Sequence, residues 1–126
     1  MPGSSKGEVV LVRYPFSDLS ASKVRPAVVV HAPHVSQDAL IVPLTSRITH
    51  LLPGEFALAD WGAAGLNVPT AVKRGIYTVR ESLFARSLGL LSPADARQVE
   101  ESVRFWLGLV GMARLSRRSN ALSRVA

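Results

Sequence analysis

Between Gly7 and Val30 the chain carries two apolar runs, residues 9–12 and 27–30, both rich in β-branched side chains. A polar segment with Pro15, Ser17, Asp18, Ser20 and Ser22 separates them. Branched side chains fit a pleated, half-buried surface, so the pattern predicts two strands, over residues 7–13 and 25–32, joined by a long loop. The loop ends on Lys23-Val24-Arg25-Pro26. Proline is tolerated at a strand start, where its missing N–H costs least. It also holds the residue before it extended. Arg25 therefore leaves the backbone from a stiff position.

The rest of the chain reads as more short strands and one helix. Residues 31–34 break the pattern at Pro33 and read as a turn. Residues 38–44 form a third apolar run, in which Pro43 suggests a strand end or an edge. Thr45-Ser46-Arg47 follows as a polar loop, and residues 49–54 as a turn region. A short strand is expected at 55–59, with Phe56 and Leu58 on one face. Residues 60–67 are ambiguous between a loop and one helical turn, since two glycines weaken a helix. Residues 68–74 and 76–79 read as a strand pair around Gly75, and a turn at Glu81-Ser82-Leu83 precedes a strand at 88–91. The helix is the plainest element. Ser92 is a good N-cap, Pro93 suits the first helical position, and Asp95 puts negative charge in the first turn. Ala96, Val99, Val103, Trp106, Leu107 and Val110 recur as a core-facing stripe, and Gly111 is the expected stop. Many short strands followed by one helix define an α+β, mainly β class: a curled sheet or small barrel closed by a C-terminal helix.

At 126 residues the chain is long enough for one domain with a modest core. That domain is expected over residues 7–112, after a frayed segment at 1–6 and before a basic, disordered tail at 113–126. The formal charge of +6 favours polyanionic partners, but it is unevenly spread. Residues 1–113 carry eleven Lys and Arg against nine acids, whereas residues 114–126 carry four Arg and no acid. With no cysteine, thiol catalysis, disulfides and thiolate metal sites are excluded. No apolar run approaches the roughly 20 residues of a membrane span, and the first residues lack the apolar core of a signal peptide. A cytoplasmic protein without a membrane partner is expected. No spacing of metal ligands, phosphate-binding loop, nucleophile elbow or dinucleotide fingerprint is present, so neither metal nor cofactor is expected.

Three segments together resemble the PemK/MazF family of toxin endoribonucleases: Gly7-Glu8-Val9-Val10-Leu11-Val12, then Pro15-Phe16-Ser17-Asp18, then Arg25-Pro26-Ala27-Val28-Val29. Residues 60–72 and the run into the helix resemble it too, so the likeness covers about residues 7–108. It implies a small barrel like that of Src-homology-3 domains, of the kind shared by CcdB, PemK and MazF proteins, and a homodimer. It also implies cleavage of single-stranded RNA without metal. In that reaction the 2′-hydroxyl attacks the adjacent phosphate, leaving a 2′,3′-cyclic phosphate and a 5′-hydroxyl. A cognate antitoxin protein would cover the RNA groove.

On that resemblance Arg25, Thr45 and Ser46 are the expected catalytic residues. A guanidinium offers a planar fork to two phosphate oxygens, and the hydroxyls can donate to phosphate or orient the attacking oxygen. Lys23, Arg47, Lys73 and Arg74 are expected to bind the RNA backbone, with Asp18 beside them. Ordinary roles stand next to these: an Arg at a strand start is commonly a solvated charge, and Thr or Ser after a strand commonly bonds the turn backbone. The general base is open. Arginine stays protonated in proteins and is a poor acceptor; Asp18 and Glu81 are candidates. Where some family members place an acidic residue, this chain has Lys73-Arg74-Gly75. His31, His34 and His50 could serve acid–base chemistry but match no motif position. Trp61 could stack on a base or belong to the core. Two other functions compete on the same fold: a CcdB-like inhibitor that binds gyrase, and a plain nucleic-acid-binding module dependent on the Arg-rich tail.

Overall fold

The computed structural model describes residues 5–13, 23–31 and 38–109. The loop carrying Asp18, the turn at Pro33 with His34, the stop at Gly111 and the basic tail lie outside them. The described elements are β1 (Glu8–Arg13), β2 (Val24–His31), β3 (Asp38–Thr45), β4 (Phe56–Ala57), β5 (Ala71–Val72), β6 (Tyr77–Arg80), a 3₁₀ turn (Glu81–Leu83), β7 (Phe84–Leu90) and α1 (Pro93–Trp106).

All described strand pairs are antiparallel, in the order β4-β5-β3-β2-β1-β7, with β6 also on β3. The mainly β class with one C-terminal helix is as expected, but the barrel does not close among the described residues. β4 and β7 end the path without meeting. β4 and β5 have two residues each and cannot carry the ladder further round.

The apolar runs of β1 to β3 do not alternate with polar residues because both faces of the sheet are covered. On one face Val9, Val28, Val42, Leu44 and Val72 pack with Val99 of α1. On the other, Val10, Val12, Ala27, Val29, Ile41 and Val79 form a second cluster, with Phe84 against it. Fully burying a side chain of this size stabilises by about 1.5–3 kcal/mol.

Three local expectations are corrected. Residues 68–74 and 76–79 do not pair with each other. β5 and β6 sit one after the other along the same edge of β3, at Leu44–Thr45 and Asp38–Ile41 respectively. Pro43 lies inside β3, opposite Ala27, and its carbonyl accepts the Lys73 N–H at 2.9 Å. Its missing N–H faces the gap where the edge of β3 changes partner from β6 to β5, so no ladder bond is lost. β7 begins at Phe84, well before 88, because β1 supplies its partner along that length.

The helix starts as predicted, with the Asp95 N–H donating to Ser92 Oγ at 3.2 Å. It stops earlier than Gly111. Gly108, at φ 76°, gives the Schellman pair: Gly108 N–H to Phe105 O at 3.0 Å and Leu109 N–H to Arg104 O at 2.8 Å. Leu107 is consequently exposed, while Trp106 Nε1 donates to Pro53 O at 3.0 Å.

Candidate functional site

Arg25 lies near the start of β2, two residues before Ala27, and Ala27 pairs with Pro43. Thr45 ends β3, two residues beyond Pro43. The start of one strand and the end of its neighbour thus lie side by side, and Arg25, Thr45 and Ser46 open onto one groove of about 780 Å³. β1 forms its floor through Leu11, which pairs with Pro26 on one side and Arg86 of β7 on the other.

The far wall is residues 65–68, held by two devices. Gly65, at φ 88°, packs on the Leu88 backbone carbonyl with no room for a Cβ. Asp95, buried at the helix start, accepts the Ala59 and Asp60 N–H groups, one on each carboxylate oxygen, both at 3.0 Å. The first turn of α1 therefore anchors the loop that walls the groove. Trp61 packs against the helix-side core.

Three cations line the groove, Arg25, Lys73 and Arg86, and no described carboxylate or imidazole does. All three are exposed at the surface. Thr45 Oγ1 accepts the Arg47 N–H at 3.1 Å, the ordinary turn bond, which leaves its own proton free to point elsewhere. Arg47 lines a smaller pocket that adjoins the groove. Arg74 lines neither cavity; its backbone N–H donates to Glu55 Oε2 at 2.8 Å. Lys23 is exposed and lines neither, and Glu81 lies in the 3₁₀ turn, off the groove. His31 lines a cavity beside α1, whereas His50 lines the pocket next to the groove. Among the described residues no three His, Asp or Glu side chains gather as a metal site, and no helix is long and apolar enough to cross a membrane.

Arg86 escaped the sequence reading. It sits in a stretch with few β-branched residues, and only its pairing with Leu11 brings it to the groove. Tyr77, Asn67 and Thr70 also line the groove without any local signal.

A family model described as PemK-like, MazF-like toxin of type II toxin-antitoxin system matches residues 5–107, and the chain belongs to that family. Similar solved folds include an endoribonuclease from a mycobacterial species, with TM-score 0.66, 20% identity, and coverage of 86% of this chain and 94% of that one. MazF from Deinococcus radiodurans is similar at TM-score 0.66 and 22% identity, covering 83% and 96%. A mycobacterial endoribonuclease in complex with its cognate antitoxin is similar at TM-score 0.64 and 18% identity, covering 86% and 98%. No curated protein matches the chain.

Proposed function

We propose that this toxin is an endoribonuclease that cuts single-stranded RNA without metal and that a cognate antitoxin neutralises it. The observation that carries this reading is the groove itself: Arg25, Lys73 and Arg86 with the Thr45 and Ser46 hydroxyls, and no described carboxylate among them. Such a lining attracts a polyanion and places hydrogen-bond donors where phosphate charge develops. In the reaction the RNA 2′-oxygen bonds to phosphorus and the P–O5′ bond breaks. The 2′-hydroxyl loses its proton and the 5′-oxygen gains one. Arg25 holds two phosphorane oxygens through its fork, and Thr45 or Ser46 donates to the phosphate or orients the 2′-oxygen. The described lining accounts for charge stabilisation and supplies no proton acceptor.

Lys73 and Arg86 hold the flanking backbone, and Arg47 reaches it from the adjoining pocket. Lys23 and Arg74, exposed outside the groove, serve the strand where it leaves it. The toxin acts as a homodimer in the cytoplasm, where its RNA is found. Purified protein should run as a dimer by light scattering at tens of micromolar; a monomer that still cuts RNA would contradict that. The activity is tested by incubating the protein with a long RNA in EDTA and mapping the cut ends. 2′,3′-Cyclic phosphate and 5′-hydroxyl ends are expected. Cleavage lost in EDTA and restored by magnesium, or 5′-phosphate ends, would overturn it. No observation on this groove favours the gyrase-binding function.

A further inference from the structure

We propose that Tyr77 is the proton donor to the departing 5′-oxygen; this rests on the RNA-cleaving reading above. That reaction leaves the electron pair of the broken P–O5′ bond on an oxygen that must gain a proton. The groove's hydroxyls at Thr45, Ser46 and Thr70 are alcohols, no stronger as acids than the alcohol being formed. Its guanidiniums at Arg25 and Arg86 do not release protons in proteins. A phenol is a far stronger acid than an alcohol and still holds its proton at neutral pH, and the one in this groove is that of Tyr77.

The sheet places that phenol on the face that carries Arg25. Side chains alternate across a strand, so Ile41, Pro43 and Thr45 of β3 share one face. Tyr77 pairs with Ile41 on one edge of β3, and Ala27 pairs with Pro43 on the other. Arg25 is two residues before Ala27. Arg25, Thr45 and Tyr77 therefore stand on the same face. β6 runs antiparallel to β3, so the residues before Tyr77 lie towards the Thr45 end. The ring leans that way: a Cβ at Gly75 would stand 2.8 Å from Tyr77 Cε2 and 3.1 Å from its hydroxyl oxygen. Gly75, at φ 146°, gives the ring a bare backbone to lie on. Tyr77 is 40% exposed, so substrate can reach it. Lys73 is the other acid in the groove that can give up a proton, but its ammonium rides on a flexible four-carbon stem, whereas the phenol is seated on Gly75. Tyr77 gives its proton to O5′ as the P–O5′ bond breaks. The cations of the groove hold the phenolate until solvent returns a proton, which balances the one that the 2′-hydroxyl has lost.

The test replaces the bridging 5′-oxygen at the cut with sulfur, in an RNA otherwise unchanged. A thiolate leaves without a proton, because a thiol is a much stronger acid than an alcohol. Single-turnover cleavage of both RNAs is compared for wild type, Tyr77→Phe and Lys73→Gln at saturating protein. Phenylalanine keeps the ring on Gly75 and removes only the hydroxyl. On the oxygen RNA, Tyr77→Phe should be slower than wild type by about 10²-fold or more, the usual contribution of a general acid. On the sulfur RNA the two should agree within about threefold. A Tyr77→Phe rate within about threefold of wild type on the oxygen RNA would overturn the role. So would an equal loss on both RNAs, since the hydroxyl would then serve binding or the phosphorane. Sulfur that restores Lys73→Gln and not Tyr77→Phe would assign the proton to the ammonium and overturn it as well. In each of these cases wild type still cuts, so the cleavage reading stands. A wild-type protein that binds RNA and never cuts it would strike that reading, and the proton donor with it.

Discussion

The Thr45 hydroxyl accepts the Arg47 N–H and still has a proton to donate, so its turn-forming role and its proposed catalytic role are compatible. They separate by mutation. Thr45→Val keeps the shape and removes the hydroxyl; Thr45→Ser keeps the hydroxyl. The Arg47 amide is exposed and water can take over its bond, so stability should change by no more than about 0.5 kcal/mol. If the hydroxyl serves the transition state, Thr45→Val should lower single-turnover cleavage by about 10²-fold or more while Thr45→Ser retains most of it. Equal rates for the two variants would confine Thr45 to the turn. For Arg86 the proposed role is binding of the RNA backbone. Arg86→Ala should weaken RNA affinity uniformly across sequences and lower the slope of log affinity against log salt by about 0.7, the value for one phosphate on a single strand. An unchanged slope would place its guanidinium off the RNA path.

The elements were legible in the sequence to the extent that their signals are local. β1, β2 and the start of α1 lie where the β-branched runs and the Ser92-Pro93 pair put them. β5, β6 and the length of β7 are not so marked, because each is defined by a partner far along the chain: β3 for the first two, β1 for the third. Pro43 looked like an edge residue since a local rule sees the missing N–H but not which neighbour it faces. Asp95 looked like a helix-dipole charge, while its two acceptor bonds run to residues 35 and 36 positions upstream. Asp95→Ala would leave those amides without their partner at an otherwise buried carboxylate site. It should cost about 2 kcal/mol and lower Tm by roughly 10 °C, read by calorimetry. A Tm within about 2 °C of wild type would show that the loop at 59–67 is held by other contacts. In the middle of α1 the Lys6 ammonium donates to Glu100 at 2.9 Å, with Arg104 at 3.7 Å on its other oxygen. The Lys6 hydrogen bond and then its charge hold the Glu100 carboxyl below its ordinary value against an opposing effect of burial, and Arg104 adds the least. A depressed carboxylate stabilises the fold above its unfolded pKa, and that contribution is lost as pH falls through its folded one. Both side chains are largely exposed, so the effect should stay within ~1 kcal/mol. The stability gap between wild type and Lys6→Ala should therefore be present at neutral pH and vanish in acid and in high salt; a gap that persists in acid would contradict this.

At the scale of the whole molecule, the sheet brings three distant stretches to one place: the start of β2, the end of β3 and the middle of β7. Arg25, Thr45 and Ser46 were legible through their motif, with Pro26 and the strand end marking their backbone. Arg86 and Tyr77 were not, because only their pairing with β1 and β3 brings them to the groove. The central claim is that this groove stabilises a phosphorane and that Arg25 does so through its two-pronged donor geometry. Arg25→Lys separates that from simple charge, because lysine keeps the cation and loses the fork. An exposed charge alone would make the exchange nearly silent, whereas losing one well-placed transition-state donor costs about 3–4 kcal/mol. The most direct measurement is single-turnover cleavage of one RNA by wild type and Arg25→Lys at saturating protein, with Tm and RNA affinity measured alongside. The account predicts a folded, RNA-binding variant that cuts at least about a hundredfold more slowly; cleavage within about threefold of wild type would remove Arg25 from the active site.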